Sequence, residues 1–288
     1  MSRFLITIVL LTSFMLSNTG IKAQVMDNPP QDGVYEKILT ENRKPIPYAP
    51  LRESDAFWTK RIWRVIDMRE KINHPFYYPI ENLNGRRSLM QVLFDGIKEG
   101  TLTAFDPTSD EFLIPQTYDD VMKILNKVDS MQIEVADPYN PGQTILKDTV
   151  IAEDFNIAQV KKIRIKEDWF FDKQRSVMDV RILGICPVFE LLEDDGVTLK
   201  GNQPLFWIYF PEARELFAKA EVYNRFNDAE RRTLDDIFFK RMFGSYIYKE
   251  ENVYDRKIDQ YSKGMDALLE SERIKNEIFI FEHDLWEQ

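Results

Sequence analysis

Cysteine, histidine and basic residues are scarce in this chain of 288 residues: it has one Cys, two His, and 38 Lys and Arg against 48 Asp and Glu, for a formal net charge of -10. One Cys cannot close an internal disulfide, so stability must come from burying a core. The two histidines, His74 and His283, show no H-x-x-x-H or H-E-x-x-H spacing that would seat a metal. The acidic surplus argues against nucleic acid, because phosphate contacts need clustered Lys and Arg. Glycine is sparse as well. No pair falls into G-x-G-x-x-G, and the nearest phosphate-loop spacing, Gly196 to Gly201, is followed by Asn202 where lysine is required. G-x-S-x-G is absent too, so no catalytic residue and no cofactor is expected.

Long apolar runs are missing beyond Leu16; the best later candidates, Ile182 to Phe189 and Pro204 to Pro211, are strand-sized. The start of the chain is different. Arg3 precedes an uncharged, largely apolar run from Phe4 to Leu16, and Ile21-Lys22-Ala23 follows. This reads as a secretory signal peptide over residues 1–23, cleaved after Ala23. The expectation is an acidic, exported mature protein.

Residues 24–56 read as an extended, proline-rich arm, with Pro29, Pro30, Pro45, Pro47 and Pro50 each removing a backbone donor. Such an arm docks on a neighbour or stays disordered. An α+β globular domain is expected over 57–288: a helical part at about 57–130, a mainly antiparallel sheet at about 131–210, and C-terminal helices at 211–288. Within it, Phe57, Ile62, Trp63, Ile66, Met68 and Ile72 predict an amphipathic helix over 56–72, and Phe76 to Ile80 an extended piece. Further helices are predicted at 88–98, 117–128, 211–220, 233–242 and about 258–286. The last carries two offset apolar stripes, Ile258, Tyr261, Met265, Leu268 and Leu269, then Ile274, Ile278, Phe281 and Leu285. A turn cluster at Asp137 to Gly142 implies a hairpin or an excursion loop. Strands are predicted at 160–165, 168–172, 178–188 and 205–210. The basic residues of the first are expected on a solvated sheet face.

Cys186 has three readings: a small buried hydrophobe, an intermolecular disulfide, or a nucleophile. Glu193-Asp194-Asp195-Gly196 reads as an exposed turn, and Asp235 and Asp236 as surface partners of Arg231 and Arg232. Trp169-Phe170-Phe171 and Phe206 to Phe210 put large rings on both faces of strands. Whatever face is not core must be covered, by a helix of the same chain or by a partner protein. Trp169, Trp207, Tyr209 and Trp286, with Cys186, are the candidate interaction residues.

Several strings resemble the GldN (PorN) family of gliding motility proteins. They are Ile62-Trp63-Arg64-Val65-Ile66-Asp67, Phe76-Tyr77-Tyr78-Pro79, Gly85-Arg86-Arg87-Ser88-Leu89, Asp168-Trp169-Phe170-Phe171-Asp172, Arg181 to Val188, Phe206 to Arg214, Tyr248 to Tyr254 and Phe281 to Trp286, in that order. The resemblance implies a periplasmic component of the type IX secretion system. It implies a ring built with an outer-membrane lipoprotein (GldK/PorK), self-association within it, and contact with the periplasmic part of the motor protein (GldM/PorM). No catalytic residue comes with it. The rival expectation is a periplasmic hydrolase or glycan-binding module, with exposed Trp207 or Tyr209 as a sugar platform beside a carboxylate pair.

Overall fold

A computed structural model describes residues 42–83, 85–125, 128–136, 144–152, 157–192, 199–224, 227 and 229–286. The expected signal peptide and cleavage site, the arm up to residue 41, the expected turn at 137–142 and the acidic cluster at 193–196 lie outside the described residues. In chain order the elements are β1 (Ala56–Asp67), α1 (His74–Tyr77), α2 (Leu89–Lys98), β2 (Ala104–Phe105), β3 (Pro115–Gln116), α3 (Tyr118–Leu125), β4 (Val128–Ala136) and β5 (Thr144–Ala152). They continue with β6 (Val160–Asp172), β7 (Val177–Leu192), β8 (Leu199–Pro204), β9 (Trp207–Tyr209), α4 (Phe210–Lys219), β10 (Glu221–Val222), β11 (Arg232–Thr233), α5 (Leu234–Phe239), β12 (Tyr246–Glu250) and α6 (Met265–Trp286). The class is α+β, as expected. The main sheet runs β12-β1-β6-β7-β9-β2-β3, with β8 also on β7, and its pairings are antiparallel. Strands β4 and β5 pair antiparallel along their length, which favours the hairpin of the two readings of this stretch.

The predicted helix over 56–72 is instead β1, so the sheet draws its second strand from the part expected to be helical. It pairs with β6 from Ala56 to Asp67. Ile62 to Ile66 is an unbroken buried run, so both faces of β1 are covered. A strand buried on both sides loses the alternation that would have marked it. The piece expected to be extended from Phe76 begins inside the single helical turn α1. The two strands predicted at 160–172 are one, β6, and the last predicted strand is shorter, because Phe210 already starts α4.

Local chemistry accounts for the helix starts. The Ser88 hydroxyl accepts from the Gln91 amide at 3.3 Å while Gln91 Oε1 accepts from the Ser88 amide at 2.9 Å, a reciprocal cap on α2. Gly100, at φ +73°, ends that helix in the left-handed region. Thr233 and Asp236 cap α5 in the same way, and Pro211 sits in the first turn of α4.

Three apolar clusters result. The large one joins Ile66, Ile163, Ile165, Ile185 and Ile208 of the sheet to α2, α4 and α5. A small one places Ile274 and Ile278 of α6 on Ile62, Ile247 and Ile258, with Trp58 and Trp169 beside them. The third is Trp63, Cys186 and Trp207, flanked by Phe105, Phe112 and Tyr248. The basic face of β6 is not open to solvent, contrary to expectation. Lys162 pairs with Glu190 at 2.9 Å, the Arg164 guanidinium lies 5.3 Å from the Tyr248 ring centre, and Lys166 is buried.

Two carboxylates at the ends of long strands tie stability to pH. Burial pushes the Asp67 carboxyl up, but hydrogen bonds from the Arg69 guanidinium and amide outweigh it and hold it below its ordinary value of 3.8. The Arg175 guanidinium at 2.6 Å, together with the Arg175 and Gln174 amides, likewise lowers Asp172. A lowered folded value contributes stability that is complete above the unfolded value, and that is lost as pH falls through the folded one. The melting temperature should therefore drop between about pH 5 and pH 2, and the drop should be shallower in Asp67→Asn and Asp172→Asn. Thermal melts across that range check it; equal slopes in wild type and variants would contradict it.

Candidate functional site

The residues singled out in the sequence do not converge on one site. Cys186 and Trp207 meet in the third cluster, both buried. Trp207 is therefore no exposed sugar platform. Tyr209 is partly exposed, with its ring 5.6 Å from Phe112. Trp169 belongs to the small cluster beneath α6. Trp286 is the last residue of α6, and its side chain lies outside the described residues. His74 opens α1 and His283 lies in the last turn of α6, both exposed.

Cys186 matches the reading as a buried hydrophobe. Burial pushes its thiol up to about 12, and Sγ donates to the Pro187 carbonyl at 3.5 Å. A neutral, enclosed thiol is neither a nucleophile nor free to reach another chain. Native protein should resist alkylation until it is denatured, and non-reducing gels should show the same monomer band with and without Cys186→Ser. A linked species abolished by that substitution would overturn this placement.

The face expected to need a cover is covered by the chain's own loop. Residues 106–114 cross Trp63 and Trp207, and the Asp110 carboxylate accepts from Trp63 Nε1 at 2.5 Å. Lys166 Nζ donates to the Asp110 carbonyl at 2.8 Å and lies 5.6 Å from the Phe112 ring centre. Burial lowers its pKa, with Asp110 opposing the shift. Phe112 adopts φ +56° and its ring fills the space over Gly184, where a Cβ would sit 2.5 Å from Cζ. Only glycine admits the ring at that distance.

Buried charges are locked in pairs. On β1 the residues Ile62, Arg64 and Ile66 share one face, and Glu167, Ile165 and Ile163 lie opposite them on β6, with Trp169 next along opposite Lys60. Glu167 is fully buried and accepts from Arg241 Nη1 at 2.8 Å, Arg241 Nη2 at 3.2 Å, Trp169 Nε1 at 2.9 Å and Arg64 Nη1 at 3.4 Å. Burial lowers the Arg64 pKa despite the attraction of Glu167. This ionic knot stands between the large cluster and the one under α6. Asp235 and Asp236, read from sequence as surface partners of Arg231 and Arg232, are buried: Asp235 takes Arg214 in two bonds of 2.9 and 3.2 Å, and Asp236 takes Arg43 at 2.6 Å.

Arg43 belongs to the arm, whose described end lies on its own body. The Arg214 guanidinium lies 4.3 Å from the Tyr48 ring centre, and Arg181 donates to the Ala49 carbonyl.

The outer surface carries what the interior does not. A groove of about 790 Å³ is lined by Ile72, Tyr78, Tyr223 and Met242 together with Lys71 and Arg232, and it places cations in an acidic chain. The other feature is the outward face of α6, where Met265, Leu268, Leu269, Phe279 and Ile280 are exposed. The sequence showed the first three as a stripe but not that it faces solvent; Phe279 and Ile280 were missed. Among the described residues no cluster of three or more His, Cys, Asp or Glu could hold a metal, and no helix is long and apolar enough to cross a membrane.

No curated protein matches the chain. The profile of the family described as gliding motility associated protein GldN matches residues 51–287, from the end of the proline-rich arm through β1, the sheet, its helices and α6. That span contains the aromatic strands, the ionic knot and both exposed apolar surfaces, and the chain belongs to the GldN family of gliding motility associated proteins.

Proposed function

We propose that this protein is a structural, non-enzymatic periplasmic component of the type IX secretion and gliding machinery. In this reading it lies at the outer membrane in a ring with the lipoprotein GldK/PorK and touches the periplasmic part of the motor protein GldM/PorM. The observation that carries the reading is the contrast between interior and surface. Inside, Glu167, Asp235 and Asp236 are held by fixed cationic or indole donors, whereas a general acid or base needs a reachable proton. Outside, large apolar side chains stand exposed in a groove and along a helix, the form that protein interfaces take. The groove, with Lys71 and Arg232 beside Ile72 and Tyr223, suits an acidic partner segment carrying an apolar anchor.

The test is purification of the tagged mature chain from cell envelopes. The lipoprotein and motor fragments should be recovered with it, and replacing Ile72 and Tyr223 with Asp should lower the yield of one of them by about tenfold. A chain recovered alone, or one that turns over cell-wall glycan, would overturn the reading.

A further inference from the structure

We infer that the outward face of α6 pairs with the same face of a second copy of this chain, the two helices running antiparallel about a twofold axis level with residue 274. Helix geometry, at 100° per residue, puts Met265, Leu268, Leu269, Glu272, Asn276, Phe279, Ile280 and His283 within about 60° of one line. Ile274 and Ile278 point the other way, into the body. The helix is apolar on both sides, and its outer side has no cover among the described residues.

The residue types along that outer stripe suit a second copy of the chain. Met265 and His283, Leu268 and Ile280, Leu269 and Phe279, and Glu272 and Asn276 are each equidistant from residue 274. An antiparallel twofold pair therefore seats Leu269 on Phe279 and Leu268 on Ile280 of the other copy, at both ends at once. In the middle Glu272 meets Asn276, an acceptor opposite a donor instead of two like groups. Flanking charge is compensated within each helix, since Arg273 is held by Glu270 at 2.6 Å and by Glu277, and Lys275 by Glu272 at 3.2 Å.

Area supports the pairing. Met265, Leu268, Leu269, Phe279 and Ile280 are 70%, 52%, 62%, 65% and 55% exposed. At roughly 200 Å² per large side chain they offer about 600 Å² per copy, or about 1,200 Å² for the pair, the lower edge of specific interfaces. The pair is thus reversible and concentration-dependent. It does not rest on the proposed secretion partners: co-purification could fail while the dimer stands, and the reverse.

Sedimentation of the purified mature chain across a wide concentration range is the first measurement, and a monomer–dimer equilibrium is expected. Leu269→Glu and Phe279→Lys should each weaken the dimer by at least about tenfold, while the chain carrying both should recover it, because each Glu then faces a Lys of the other copy. In a Cys186→Ser background, chains with Leu269→Cys and chains with Phe279→Cys should cross-link when mixed and not when alone. A monomer at every concentration, or cross-linking by Leu269→Cys alone equal to that of the mixture, would overturn the inference.

Discussion

Replacing Glu167 with alanine should destabilise the protein by about 3–5 kcal/mol, a large share of the stability of a domain of this size. Glu167 is the acceptor for Arg64, Arg241 and the Trp169 indole at once. Its loss leaves the Arg64 guanidinium enclosed between apolar zones with no counter-charge, and burial already disfavours that charge. The penalty is the desolvation of a stranded ion, not the modest net worth of the pair. Urea unfolding should show the shift, and the melting temperature should fall by roughly 6–20 °C. Two comparisons separate this account from simple cavity formation. Arg241→Ala should cost only about 1 kcal/mol, because that side chain is 26% exposed and Arg64 still keeps its carboxylate. Arg64→Met combined with Glu167→Leu should recover most of the loss, since no charge is then stranded. If the double variant is no more stable than Glu167→Ala, the electrostatic account fails.

Phe238→Ala should cost a similar amount, about 3–5 kcal/mol, for a different reason. Phe238 is buried, and its ring centre lies 4.9 Å from Phe76, 5.3 Å from Phe210, 5.6 Å from Phe217 and 5.9 Å from Phe243. It therefore ties α1, α4 and α5 to the segment that leads into β12. Truncation removes ring contacts from four neighbours and leaves a hole that rings, rigid and mutually packed, cannot close. Phe238→Leu should cost clearly less, because it refills most of the volume. Chemical denaturation of the two variants decides the matter; equal costs would mean that the site collapses freely. The large cluster carries α2, α4 and α5, so this variant should also loosen the arm segment that Arg43 and Tyr48 fasten beside α5.

What was legible in the sequence follows from how local each signal is. The helices α2, α4 and α5 are written within a few residues, in apolar spacing, a closing glycine or an opening proline, and they were expected; the caps of α2 and α5 are just as local but were missed. Strand β1 was misread because Ile62, Trp63 and Ile66 fit a helical stripe as well as a strand buried on both sides. The true pairing partners, β6 and β12, lie about a hundred residues or more away. The role of Arg64 was hidden for the same reason. Its carboxylate is more than a hundred positions further on, and no local pattern announces it.

The candidate site was legible in part. That the ring-rich strands at Trp169 to Phe171 and Phe206 to Phe210 would need a cover could be read from their aromatic content; that the cover over Trp207 is Phe112, in a stretch without regular structure, could not. The two stripes of the last helix were visible as a phase shift. Which stripe meets the body is a matter of where β1 and β12 stand.

The sequence by itself determined composition-level limits and family: one Cys, an acidic surplus, and ordered strings that place 51–287 in the GldN family. Those properties are additive or local, so they survive without a fold. Tertiary structure alone decided that Trp207 and Cys186 are inside, that Glu167 joins Arg64 to Arg241, and that Leu269 and Phe279 face out. Each of these depends on which distant strand or helix lies alongside, and burial is a property of that arrangement, not of the residue.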